Sequence, residues 1–218
     1  MESNFAEEHY NHGVNNIIQF NYTEAIENFN KALALNPDYA DAYYSRGYAF
    51  SKQGNHTREI EDYSKAIELR PNFAEAYRSR GMAYGAQDNY DKAIVDLTKA
   101  IELKPNDAEI YVNRGLANSL QFKFERAIED YTTAIELKDN YVDSYIFRGN
   151  AYFGLRCHLL AIEDYTKVIE LNPNNAEAYY NRGLNYKMMH NLEKAVEEFK
   201  TAARLGSKVA IEELKRLK

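Results

Sequence analysis

Arg-Gly pairs stand at 46–47, 80–81, 114–115, 148–149 and 182–183, each 34 residues after the one before. A fixed period of this length constrains the fold more than chain length does, because each copy packs on its neighbours rather than around one central core. Aligned on the glycine, the sequence divides without insertion or deletion into six repeats: 6–39, 40–73, 74–107, 108–141, 142–175 and 176–209. A tail, 1–5, precedes them and a segment, 210–218, follows. The expectation for 218 residues is therefore one solenoid rather than one or two globular domains.

Within each repeat the spacing of apolar residues switches between three and four, which is the signature of helices. The third repeat, AEAYRSRGMAYGAQDNYDKAIVDLTKAIELKPND, predicts one helix ending near Ala86, a Gln-Asp-Asn turn, a second helix to Leu103 and a stop at Pro105. Proline cannot donate to the preceding turn and pushes its predecessor out of the α region, and all four prolines (Pro37, Pro71, Pro105, Pro173) occupy this one place. Asn21, Asn55, Asn89 and Asn191 precede the second helix of their repeats, where short polar side chains cap free N–H groups. On a helical wheel, repeat positions 4, 8 and 11 share one face of the first helix, and positions 20, 24 and 27 share one face of the second. A helical glycine costs about 1 kcal/mol. At position 8 it is explained by close approach of the two helices, with small residues such as Ala93 and Ala127 as the expected partners.

A large aromatic at position 4, Gly at 8, an aromatic at 11, Ala at 20, an aromatic at 24, Ala at 27 and Pro at 32 is the pattern of tetratricopeptide repeat (TPR) proteins, which this chain resembles over about residues 6–209. The third repeat carries it as Tyr77, Gly81, Tyr84, Ala93, Ala100 and Pro105, the sixth as Tyr179, Gly183, Tyr186, Ala195, Phe199 and Ala202. The resemblance implies an all-α fold, a right-handed superhelical solenoid of antiparallel helix pairs, with 210–218 as a C-terminal capping helix. Departures are His9 and Asn16 in the first repeat, Glu59 in the second, Asn118 and Asp139 in the fourth and Ser207 in the sixth. His9 and Asn16 suit an end repeat whose outer face meets water, and Ile211, Leu214 and Leu217, at helical spacing, suit a cover over the other end. Glu59, at the small-residue site, fits no such account and predicts local loosening over 57–65.

The arginine at position 7 lies beside the buried stripe, where an unpartnered charge is costly. Position 23, at the matching edge of the second helix, is Asp62, Asp96, Asp130, Asp164 and Glu198 in the repeats that carry the arginine; the first repeat has His12 and Asn28 instead. Both charges vanish together. The pattern predicts an Arg–carboxylate ladder, within a repeat or across to the next, with a structural role rather than a grip on an anionic ligand.

In proteins similar to this one the first helices line a concave groove through positions 2, 5, 9, 12 and 13. Position 5 reads Tyr10, Tyr44, Arg78, Val112, Ile146, Tyr180 and position 9 reads Val14, Tyr48, Met82, Leu116, Asn150, Leu184, a run too apolar for a solvated stripe unless neighbouring helices bury it. Asn11, Asn113 and Asn181 at position 6 stand where some relatives hold a ligand's backbone, with Ser45, Ser79 and Phe147 interrupting. Position 2 is acidic throughout (Glu7, Asp41, Glu75, Glu109, Asp143, Glu177), which complements the helix dipole and would rim a groove with negative charge. The expected partner is a protein or peptide of hydrophobic and basic character, bound through Tyr10, Tyr44, Tyr48, Arg78, Met82, Val112, Asn113, Leu116, Ile146, Asn150, Tyr180, Asn181 and Leu184. The Lys/Asn/Arg set with which one TPR subclass clamps chaperone C-terminal tails is not present in any register.

Other functions find little support. A net charge of −6 gives nucleic acid no electrostatic attraction, and the chain contains no run of 18 apolar residues and no signal-like start, so a cytoplasmic location is the expectation. One cysteine, Cys157, rules out an internal disulfide and a cysteine-rich zinc site. His9 and His12 share a helical face, and Cys157 adjoins His158, but cap polarity and an inter-helix turn explain these better than a metal or a nucleophile. No phosphate loop or hydrolase motif occurs, no cofactor is expected, and the reading is a non-enzymatic binding scaffold. A self-assembling module, or a regulatory part of a larger protein, is the alternative.

Overall fold

The computed structural model describes residues 2–217, with side chains from Phe5 onward. Those residues form two compact units, Met1–Asn106 and Asp107–Lys218. In the first, α1 (Glu2–Ile18), α2 (Tyr22–Leu35), α3 (Ala40–Lys52), α4 (His56–Leu69), α5 (Ala74–Ala86) and α6 (Tyr90–Leu103) follow in tandem. The second holds α7 (Ala108–Leu120), α8 (Phe124–Leu137), α9 (Val142–Gly154), α10 (His158–Leu171), α11 (Ala176–Met188), α12 (Leu192–Arg204) and α13 (Lys208–Arg216). Within each unit every helix packs on the next, and the three-residue turns inside a pair force its helices antiparallel. The ends of α5 and α6 fall at Ala86 and Leu103, as the third repeat predicts.

The turn inside each pair has one construction. Position 15 lies in the left-handed region in all six repeats, with φ of 62° at Phe20, 71° at Gly54, 58° at Asp88, 59° at Phe122, 60° at Arg156 and 60° at His190. The next N–H then reaches back to the carbonyl of position 11, as Asn89 N does to Tyr84 O at 2.9 Å and Cys157 N to Tyr152 O at 2.9 Å. This closes the first helix of the pair with a Schellman motif. Asn55, Asn89 and Asn191 then cap the second helix, accepting from the backbone N–H of Arg58, Lys92 and Lys194, while Asn21 occupies the same place without a side-chain bond.

At the centre of each pair a position-24 side chain is fully buried: Phe29, Leu97, Tyr131, Tyr165 and Phe199, with Tyr63 nearly so. This residue, and not a facing alanine, explains the glycine. A Cβ added at Gly115 would lie 2.6 Å from the Tyr131 ring, and one at Gly81 would meet Leu97 Cγ at 2.9 Å, with Ala93 contributing only its carbonyl oxygen. The end helix also differs in detail from expectation. α13 covers α12 with Ala210, Leu214 and Leu217 against Ala195, Phe199 and Ala202, whereas Ile211 stays exposed. Ser207, where other repeats place proline, caps α13 by accepting from Ala210 N.

Candidate functional site

The arginines serve the frame. Arg46, Arg80 and Arg148 each place Nε and Nη2 on the two oxygens of Asp62, Asp96 and Asp164 at 2.7–2.9 Å. Arg114 holds Asp130, and Arg182 holds Glu198 at 2.7 Å, so the ladder closes within a repeat. The spare Nη1 also reaches backward, to Asn30 from Arg46 at 2.6 Å, and to Ser64, Thr132 and Thr166 from Arg80, Arg148 and Arg182, each at 3.0 Å. One guanidinium thus ties its own two helices to the second helix of the preceding repeat. Burial pushes the Asp62, Asp130 and Asp164 carboxyls above the ordinary 3.8, and the arginine opposite draws them back without cancelling it.

The odd-numbered helices carry the predicted ligand face. In the first unit, Tyr10 is wedged between Phe29 and Tyr39, with ring centroids 5.8 and 4.9 Å away, and Tyr44 between Tyr63 and Phe73 at 5.5 and 5.0 Å. Position 5 is therefore partly packing, and its aromatic character has two causes. Tyr48 and Met82 are open, at 37% and 51% exposure, and Arg78 is half-buried. With Tyr44 they line a cavity of about 300 Å³ between α3 and α5, floored by His56, Glu59 and Tyr63 of α4. Burial raises the Tyr63 phenol well above its ordinary value, so it stays protonated.

The second unit is less open. Val112 is buried in one apolar cluster with Ala108, Ala127, Tyr131 and Ala151, so packing takes the surface a ligand would need. Leu116, Ile146, Asn113, Asn181 and Leu184 are half-buried. Tyr180 leans on Phe199 at 5.6 Å, and exposed Asn150 accepts from the Tyr165 hydroxyl at 2.6 Å. Asn181 lends its carbonyl to Asn185 Nδ2 at 2.8 Å.

The partners of two sets of acids, those at position 2 and the anomalous Glu59, escape the sequence reading. Asp41 is gripped by both Nη atoms of Arg70, and Glu75 by Lys104. Both bases stand at position 31, a regularity that could have been read from the alignment. These acids are neutralised rather than left as a negative rim, and the Lys104 ammonium holds the Glu75 carboxyl below 4.5. The second is Glu59, which sits inside an unbroken α4, 5% exposed, with His56 Nδ1 donating to its Oε2 at 2.9 Å.

The remaining candidates do not converge. Cys157 is exposed at the start of α10, while His158 is engaged with Asn185 Oδ1 at 3.0 Å. His9 is half-buried with Nδ1 sealed from water and unpartnered, and His12 is exposed. Among the described residues no group of three or more His, Cys, Asp or Glu is placed to hold a metal, and no helix is long and apolar enough to cross a membrane.

Family profiles described as "Tetratricopeptide repeat" match residues 40–73, 74–107, 108–141 and 176–205, and one described as "TPR repeat" matches 21–54 and 160–189. The crystal structure of MamA is 31% identical, covering 75% of this chain and 96% of that one, with a TM-score of 0.71. This chain belongs to the tetratricopeptide repeat family. Two further TPR structures share the fold. YrrB, described as a TPR protein with an unusual peptide-binding site, is 24% identical over 86% of this chain and 97% of its own, with a TM-score of 0.75. The pilF protein of Pseudomonas aeruginosa is 20% identical, over 100% and 99%, with a TM-score of 0.81. No curated protein sequence matches the chain.

Proposed function

We propose that this TPR protein is a non-enzymatic scaffold that binds a peptide segment of a partner protein on its odd-helix face. The observation that carries the reading is the pair Tyr48 and Met82. They are large, apolar and exposed beside a cavity, on helices whose opposite faces already bury the residues that stabilise the fold. A frame clamped by its arginines is ordered before the ligand arrives, so the ligand bears the ordering cost. YrrB, whose fold this chain shares, is described as having a peptide-binding site, and the analogy supports peptide binding as the use of this frame.

The test is affinity capture from the native host's lysate, read by mass spectrometry, with wild type and a folded Tyr48→Glu/Met82→Glu variant. Capture of a protein by wild type and its loss with the variant supports the reading. Equal capture by both moves the interaction to another surface. Recovery of further copies of this chain alone, with a mass that rises with concentration, makes self-assembly the function instead.

A further inference from the structure

Five of the six repeats place alanine at position 20 (Ala25, Ala93, Ala127, Ala161, Ala195), each fully or almost fully buried. The second repeat places Glu59 there. A carboxylate in a core position is costly unless its lone pairs are met. His56 meets one oxygen; the other, Oε1, engages no protein group among the described residues, yet it is not sealed in the core. Glu59 is among the residues that line the cavity between α3 and α5.

The lining of that cavity suits one kind of visitor. At about 300 Å³ it stands at the small end of ligand pockets, the size for a single long side chain rather than an extended molecule. Tyr48, Met82 and Ala83 give it an apolar wall along which an aliphatic stem can lie, and Glu59 adds a carboxyl group to its lining. Two cations also line it, Lys52 and Arg78, with Lys52 Nζ 5.0 Å from the centre of the Tyr48 ring. Lys52 is exposed, where water and salt screen its charge, and Arg78 is half-buried and engaged elsewhere, so neither offsets Glu59 in full. Glu59 therefore attracts a cation, and the Lys52 ammonium repels a second one.

We propose that this cavity takes the side chain of one lysine or arginine of the partner peptide, its cationic head on Glu59 and its stem along Tyr48 and Met82. Lys52 then disfavours polybasic segments and selects a basic residue set among neutral or acidic ones. The inference rests on the odd-helix face being the peptide-binding face. It accounts for Glu59 as stability given up for recognition, which the alanine of the other repeats would restore.

The experiment is a positional-scanning library of nine-residue peptides, read by fluorescence anisotropy on wild type, Glu59→Ala and Glu59→Gln. Circular dichroism establishes that each variant folds, and the isosteric Glu59→Gln serves if Glu59→Ala does not. The expected result is selection of a single Lys or Arg, with at least tenfold weaker binding when that residue becomes norleucine or when Glu59 is replaced, while Glu59→Ala melts no lower than wild type. Selection of peptides with no basic preference, or of acidic ones, or unchanged binding by both variants, overturns the cavity's role and leaves the face as a peptide site. No binding by any peptide overturns the peptide reading itself.

Discussion

The guanidinium of Arg148 closes a two-pronged pair on Asp164, with Nε 2.9 Å from one carboxylate oxygen and Nη2 2.7 Å from the other, while its third nitrogen bonds Thr132 at 3.0 Å. Sixteen residues separate the arginine from each partner, one on either side. Asp164 is nearly buried and Arg148 mostly so. Removing one partner of such a pair strands the other charge, so Arg148→Ala is expected to cost about 3 kcal/mol. Arg148→Lys keeps the charge without the fork and Thr132→Val removes one bond; each should cost about 1 kcal/mol. Urea denaturation of the three variants and of Arg148→Ala/Asp164→Ala checks this, the double variant losing less than the sum of its singles.

Two glycines should answer oppositely to the same substitution. Gly115→Ala gains helix propensity but drives a methyl to 2.6 Å from the Tyr131 ring, a strain that costs about 1–3 kcal/mol and lowers the melting temperature. Gly85, within α5, has nothing within 4 Å of its would-be Cβ, so Gly85→Ala should stabilise by about 0.5–1 kcal/mol.

The left-handed turn position offers a second stabilising change. Phe20 and Phe122 adopt φ of 62° and 59°, where a side chain is strained, and they are 76% and 80% exposed, so little packing offsets it. Phe20→Gly and Phe122→Gly should each add about 1 kcal/mol in thermal or urea unfolding, as the glycine at Gly54 already does for its repeat.

The ladder's acid response follows from burial. Asp62, Asp130 and Asp164 hold protons more tightly folded than unfolded, so between their raised values and the ordinary 3.8 the folded chain binds more protons, and the stability these groups contribute rises as pH falls. Glu213 behaves oppositely. Lys187 holds it below 4.5, and its contribution is present above that value and lost as pH falls through the depressed one. Carboxyl 13C titration should find Asp164 above 3.8, and higher still in Arg148→Ala. An Asp164 that titrates below 3.8 would contradict the account.

Much of this was legible in the sequence because a repeat prints its physics six times. The helix ends at Ala86 and Leu103, the asparagine caps and the pairing of position 7 with position 23 each recur at fixed offsets, and local chemistry sets each of them. The backward reach of the arginines was hidden because position 25 varies among Asn30, Ser64, Thr132 and Thr166, whose shared trait is a short polar side chain rather than an identity. The exposure of the predicted ligand face was not legible either. A wheel places Val112 and Tyr48 on one stripe, but the neighbours decide that Val112 is buried and Tyr48 is open. Glu59 reads as a defect in one dimension, and only the cavity beside it supplies a reason.

The central claim is that a partner peptide lies against Tyr48 and Met82, and methionine methyl NMR tests it with few signals. Met82 is on the odd-helix face, while Met189 follows the last residue of α11, in its turn. With 13C-methyl methionine and a bound peptide from the library, the account predicts that the Met82 signal shifts while that of Met189 stays. A shift of Met189 with Met82 unmoved would place the partner elsewhere and contradict it.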